Sequence, residues 1–297
     1  MSEWRCTGMS WRATGPVLGW SSATAGERER PLVLGESLAF AAGGDRRCGG
    51  VRRAGRRLRC PWQATVPDGA VSGQCPDCSA MDRSSSVAAD TAFDDRRPFR
   101  LYLAWFGPGL LKLGITAAER GHNRLREQGA LAHTWLGQGP LAAARRAEAS
   151  LGPALGIPDR VRHATKLAAR MAASDPADRT REMATAHECA VSCAAWPETL
   201  HSLPLEITDH TPAYGLDLAS PPLPHAEISH LSAGSTVAGA LTSLVGTDAY
   251  LSTGSGLFTL DLRLLSGWPL TSASPTDRTT APNRPLGPRE GDQDALF

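Results

Sequence analysis

FRLYLAWFGPGLLKLGITAAERGHNRLREQGA, residues 99–130, is the stretch from which the fold is read. Gly107, Pro108 and Gly109 interrupt two apolar runs, and glycine and proline supply the backbone angles that a tight turn needs. The runs therefore form a β-hairpin in which Phe106 faces Leu110, Ala104 lies opposite Lys112, and Tyr102 lies opposite Gly114. Tyr102 and Lys112 then share one face as diagonal neighbours, about 7 Å apart. Thr116 to Glu119 fits a Ser/Thr-x-x-Glu capping box. The spacing predicts a helix over about Ala117–Gln128, ended by Gly129. At about 100° per residue, Ala117, Gly121, Arg124 and Gln128 form one stripe, with room for a ligand beside Arg124.

A strand over His133–Gly137 follows, then PLAAARRAEASLGPAL, residues 140–155. Pro140 opens a helix whose apolar stripe holds Leu141, Ala144, Leu151 and Leu155. Glu148 falls inside that stripe. A carboxylate there is costly unless it is paired, hydrogen-bonded or holding a metal. The plainer alternative is an ion pair with Arg145, one turn back.

The order strand, strand, helix, strand, helix with an inward glutamate resembles GIY-YIG nuclease domains. LYLAW resembles the GIY strand and LKLGIT the YIG strand. The resemblance implies catalytic roles for Tyr102 as the first motif tyrosine, Arg124 as the helix arginine and Glu148 as the metal-binding glutamate, with Gly114 as the motif glycine. Lys112 stands where the second tyrosine belongs, and Asp159 in GIPDR where an asparagine is expected. Both departures bear on catalysis, since a cationic lysine does not replace a phenol as base. Over the whole chain the sequence is similar to an uncharacterised bacterial family, domain of unknown function 2797. SVAADT (86–91), LYLAWFGPGLLKLGIT (101–116), RLREQGA (124–130), RRAEASLG (145–152) and LLSGWPLT (264–271) carry that similarity.

Four cysteines, Cys48, Cys60, Cys75 and Cys78, cluster in a Gly-, Pro- and Arg-rich stretch too polar to pack its own core. Cys75-Pro-Asp-Cys78 has the two-residue spacing of a zinc knuckle. Cys48 and Cys60 are eleven residues apart, so each must come from a different strand or loop. A structural zinc with four cysteine ligands is expected, against unliganded thiols. CGGVRRAGRRLRC between the first two cysteines is the densest positive cluster. Arg52, Arg53, Arg56 and Arg57 are its candidate phosphate contacts, against a solvated loop in an arginine-rich chain. His122 and His133 have no partner spacing and read as surface or packing residues. Cys189, Cys193 and His187 read as ordinary side chains.

With 297 residues and a formal charge of +1, the chain is long enough for two or more compact units and lacks a global basic field. Lys112 and Lys166 are its only lysines. No apolar segment approaches the ~20 residues of a membrane span, and the N-terminus lacks the apolar core of a signal peptide. A cytoplasmic location, with no membrane partner, is expected. Phosphate-loop, dinucleotide and nucleophile-elbow motifs are missing, which argues against nucleotide hydrolysis and hydride transfer.

The expected class is α+β. Residues 1–98 carry N-terminal strands and a zinc-ribbon-like region, 99–170 the GIY-YIG-like β-β-α-β-α core, and 171–205 a linker. Residues 206–271 form a small C-terminal β unit and 272–297 a disordered tail. The functional expectation is a nucleic-acid-associated protein, DNA or RNA, in which Glu148 holds Mg²⁺ or Mn²⁺ if the chain is a metal-dependent nuclease. In that case Arg124 steadies the phosphate and Tyr102 orients or activates water, while Lys112 binds phosphate or stabilises charge. The alternative is a catalytically inactive nucleic-acid or protein binding module on the same scaffold. A third reading makes Tyr102, Arg124 and Glu148 a buried polar network without a ligand.

Overall fold

A computed structural model gives the structure and describes residues 3–53, 56–84 and 95–286. The segment SVAADT and residues 287–297 lie outside the described residues. The architecture is mixed α and β, with strands predominating.

β1 (Trp4–Arg12), β2 (Gly15–Ser22) and β3 (Gly26–Pro31) form an antiparallel meander. β4 (Ser37–Ala42) leaves that sheet for another. A small hairpin, β5 (Val51–Arg53) with β6 (Arg56–Leu58), precedes α1 (Pro76–Ser84).

The central sheet contains β7 (Phe99–Trp105), β8 (Leu111–Ala117) and β9 (Ala132–Gly139). Between β8 and β9 lies α2 (Asn123–Glu127). α3 (Leu141–Leu155), α4 (His163–Arg170) and α5 (Pro176–Val191) follow. β10 (His201–Ser202) and β11 (Thr208–Asp209) both pair with β9, and α6 (Thr211–Tyr214) comes next. The strand order β10-β9-β7-β8 leaves β8 at the edge. The hairpin register has Ala104 opposite Lys112 and Tyr102 opposite Gly114. At its turn the Phe106 N–H donates to the Leu110 carbonyl at 3.0 Å.

Alternation along β7 sorts its side chains between two cores. Phe99, Leu101 and Leu103 pack with Leu113, Leu136 and the stripe Leu141, Ala144, Ala147, Leu151 of α3. Tyr102, Ala104 and Phe106 face the other way, against Leu125 and Ala130.

The helix expected over 117–128 is shorter than its pattern suggests. β8 runs through Ala117, a 3₁₀ turn covers Ala118–Arg120, and α2 spans only Asn123–Glu127. Gly121, at φ 47° and ψ −142°, takes a backbone conformation outside the helical region. Thr116 therefore lies in a strand instead of capping a helix, and Glu119 pairs with Arg97. The stop at Gly129, φ 71°, is where it was expected.

β12 (Ala226–Ile228), β13 (Thr236–Val245), β14 (Asp248–Thr253), β15 (Gly256–Asp261), β16 (Leu270–Ser272) and β17 (Asn283–Pro285) build the C-terminal sheet with β4, in the order β16-β4-β13-β14-β15-β12-β17. The expected division between residues 1–98 and 206–271 differs here. SLAFAA buries Leu38, Phe40 and Ala42, and it finds its partners in β13 and β16. One core then joins Trp11, Leu18 and Phe40 to Leu241, Leu251 and Leu265. Within the expected linker, α5 packs on the central sheet. Its Glu182 accepts from Trp105 Nε1 at 2.8 Å and from the Gly109 N–H of the hairpin turn. Within the expected tail, β17 pairs with β12.

α4 is tied to the C-terminal sheet by a buried ion pair, Arg170 to Asp248 at 2.5 Å, joined by His163 Nε2 at 2.7 Å. Among the described residues, no helix is long and apolar enough to cross a membrane.

Candidate functional site

Two features arrange the side chains that the sequence singled out: the period-two register of the hairpin, and the exposed edge of β8. On the face of Tyr102, the Lys112 ammonium donates to the Tyr102 hydroxyl at 3.1 Å and the Gln128 amide donates to it at 2.8 Å. Two donors occupy both lone pairs of the phenol oxygen, so toward a ligand this hydroxyl acts as a hydrogen-bond donor. The ring lies across Gly114, where an added Cβ would come within 2.2 Å of the hydroxyl oxygen.

Glu148 belongs to α3, which packs on the face of the sheet opposite Tyr102. At the sheet edge its carboxylate accepts from the Ile115 N–H, and the Pro158 carbonyl accepts from the Leu113 N–H at 3.1 Å. These contacts satisfy outward-facing groups of an edge strand. They also draw the 156–160 loop against β8, so that Glu148 and Asp159 line one groove of about 510 Å³ with Gly152, Gly156 and Pro158. Burial raises the Glu148 pKa, the nearby Lys112 opposes the rise, and Asp159 adds to it. Lys112 thus electrostatically links the Tyr102 cluster to the carboxylate groove. Arg124 lies toward solvent, 3.7 Å from Glu127, and its carbonyl accepts from Gln128 at 3.5 Å.

Lys166 was not a candidate in the sequence, yet its ammonium donates to the Gln128 carbonyl at 2.9 Å and lies 4.1 Å from the Phe106 ring centre. Burial first, then Arg170, Lys112 and Arg124, bring its pKa down to about 7. Lys166 had no spacing signal, since α4 meets α2 only in the folded chain, and the helical spacing that set Gln128 on one stripe with Arg124 did not place it against Tyr102.

The four cysteines converge. Cys48 and Cys60 flank the β5–β6 hairpin, whose Val51–Leu58 pairing closes the eleven-residue gap at its base. Cys78 sits in the first turn of α1, just after Cys75. One sulfur from each lies within 4.8 Å of the others, and Cys60 Sγ is 3.9 Å from Cys75 Sγ. Burial first, and then the neighbouring sulfurs of Cys48 and Cys75, push the Cys78 thiol up. Four such sulfurs ionise together only around a cation, so the set could hold a metal ion.

The hairpin arginines are partly engaged. Arg52 and Arg57 share Glu27 at 3.6 and 3.4 Å, and Arg53 donates to the Met81 carbonyl at 3.0 Å. Arg56 is exposed. Arg46, 1 % exposed, donates to the carbonyls of Ser266, Pro67 and Ala70, and so pins the cysteine region to the C-terminal sheet.

His122 is exposed and His133 is buried, in keeping with their expected surface and packing roles. They contact each other, and His133 contacts His210. Sequence spacing carried no sign of the trio, because His210 belongs to a segment that reaches β9 through β11.

A family model described as "Protein of unknown function (DUF2797)" matches residues 35–270. No curated protein and no solved structure matches the chain.

Proposed function

The chain belongs to the DUF2797 family, and from that premise we propose that it is a nucleic-acid-associated protein with a GIY-YIG-like core that acts as a divalent-metal-dependent phosphodiesterase. The observation that carries this reading is that Glu148 and Asp159 line one groove, with the charge of Lys112 near enough to favour the ionised form of Glu148. Two carboxylates lining one groove favour a divalent cation, which relieves their repulsion. An Mg²⁺ or Mn²⁺ held there would supply Lewis acidity and charge neutralisation to a phosphate oxygen.

The chain's own groups divide the remaining work. Lys112 contributes positive charge next to the carboxylates and holds the Tyr102 hydroxyl. Tyr102, its lone pairs engaged, donates toward a phosphate or water oxygen and orients it. Arg124, half exposed on α2, contacts phosphate through its fork of N–H donors. A structural zinc at Cys48, Cys60, Cys75 and Cys78 belongs to the same reading. Zn–S bonds of about 2.3 Å set tetrahedral sulfurs about 3.8 Å apart, close to the 3.9 Å between Cys60 and Cys75. That ion would stiffen the loop carrying Arg52, Arg53, Arg56 and Arg57, the candidate nucleic-acid contacts. A cytoplasmic setting, in which thiols stay reduced, suits such a site.

A second reading, a binding module without catalysis, is favoured by the saturated Tyr102 hydroxyl, which has no lone pair left to serve as base. Incubation with labelled single- and double-stranded DNA and RNA, in Mg²⁺, Mn²⁺ or EDTA, separates the two. The expected result is divalent-dependent cleavage by the wild type that Glu148→Gln abolishes. Salt-sensitive binding without cleavage would replace the enzyme by the binding module, and neither binding nor cleavage would remove both.

A further inference from the structure

His133 is carried by β9, His122 precedes α2, and His210 precedes α6. Cross-strand pairing through β11 and the short loop into α2 bring all three to one end of the Tyr102 face. His122 Nδ1 lies 3.2 Å from His133 Nε2, and His133 Nδ1 lies 2.9 Å from His210 Nε2. One nitrogen from each ring falls within 4.8 Å of the other two. His133 and His210 are fully buried, whereas His122 is exposed.

We propose that His122, His133 and His210 form a binding site for a divalent first-row transition ion of the zinc, cobalt and nickel class, separate from both the cysteine cluster and the Glu148 groove. Imidazole nitrogens are the donors that such ions prefer, and bonds of about 2.0–2.1 Å place tetrahedral nitrogens about 3.3 Å apart. His133 meets His122 through Nε2 and His210 through Nδ1, so a single His133 nitrogen would serve an ion, and ring rotations that draw the three donor nitrogens in from their 4.8 Å spread would open one of those two contacts.

Three histidines with an exposed member leave a coordination position facing solvent. Arg126 Nε lies 3.5 Å from His210 Nδ1, and Arg100 lies 5.0 Å from the centre of the Trp135 ring that packs on His133. Their positive charge opposes a bare cation and favours an ion that carries an anionic fourth ligand, such as hydroxide or an oxyanion.

Cobalt titration of the full chain tests this, because thiolate-bound cobalt shows a sulfur-to-metal charge-transfer band that histidine-bound cobalt lacks. The expected result is one Co²⁺ equivalent per chain that adds visible d–d absorbance without any thiolate band. In His122→Ala the affinity for that equivalent should fall at least tenfold. Because His122 is exposed, this variant should keep the wild-type melting temperature in EDTA, and only the wild type should gain stability when Co²⁺ is added. Equal cobalt binding by wild type and variant, or a wild type whose only bound cobalt carries the thiolate band, would overturn the site. The trio would then be a row of N–H···N hydrogen bonds. Neither result depends on whether Glu148 supports cleavage.

Discussion

Gly114 is the residue on which the Tyr102 cluster depends, since a methyl group there would meet the hydroxyl oxygen at 2.2 Å and the ring carbon bearing it at 2.3 Å. A phenol ring cannot bend aside at its tip, so Gly114→Ala must displace the whole side chain from Lys112 and Gln128. The expected loss is about 1–3 kcal/mol, measured by urea unfolding; an unchanged midpoint would show that the ring finds another rotamer at no cost. Asp248 makes a larger demand. Burial raises its pKa, but Arg170 and then His163 outweigh burial and lower it to about 2. A carboxyl depressed in the folded state stabilises above its unfolded pKa, and that stability is lost as pH falls from about 4 toward 2. His163 is raised by its hydrogen bond to Asp248, so its contribution is complete below about 6.5 and lost as pH rises through its folded value. Urea midpoints should therefore drop below pH 4, and Asp248→Asn should cost about 3–5 kcal/mol at pH 6 while flattening the acid limb. At this scale the Tyr102–Lys112 pairing was legible, because a turn and a period of two fix a register. Gln128 was set beside Arg124 but not against Tyr102, and Lys166 and His210 were not legible, because nothing in their local spacing reports which distant segment they will meet.

Among the elements, the cysteine region is the least able to stand alone. Its strands have three residues each and α1 has nine, while isolated helices below about 12–15 residues are marginal in water. Its buried cluster consists mainly of the four sulfurs and Val51. If the four cysteines hold the proposed zinc, a strong chelator should speed amide exchange across residues 48–82 and leave β7, β8 and β9 protected. Equal protection with and without chelator would mean that Arg46 and the C-terminal sheet hold the region unaided. The capping-box pattern failed at this scale for a local reason. Thr116 and Glu119 fit the motif, but Gly121 broke the helix they were read as starting, and Arg97 took the glutamate. Conversely, the wide gap between Cys48 and Cys60 looked weak in the sequence only because the intervening hairpin was not recognised.

In the whole molecule, the N-terminal and C-terminal regions share one sheet and one core. β4 lies between β16 and β13, and Trp11 of β1 donates to the Gly246 carbonyl at 2.9 Å in the turn after β13. Composition shifts suggested separable units, because chain order does not reveal which strand fills a gap in a distant sheet. A variant lacking residues 1–42 should therefore lose soluble expression and bind a dye specific for exposed apolar surface. A soluble, cooperatively melting product would show that β13 and β16 pair without β4. The central placement of β4 also sets a timetable for synthesis. Ala42 leaves the ribosome long before Thr236, and at ~5–20 residues per second the interval is on the order of ten to forty seconds. Throughout it Leu38 and Phe40 have no sheet to enter. The nascent chain needs shelter during that wait, and slowing elongation downstream of β4 should increase its demand for chaperones.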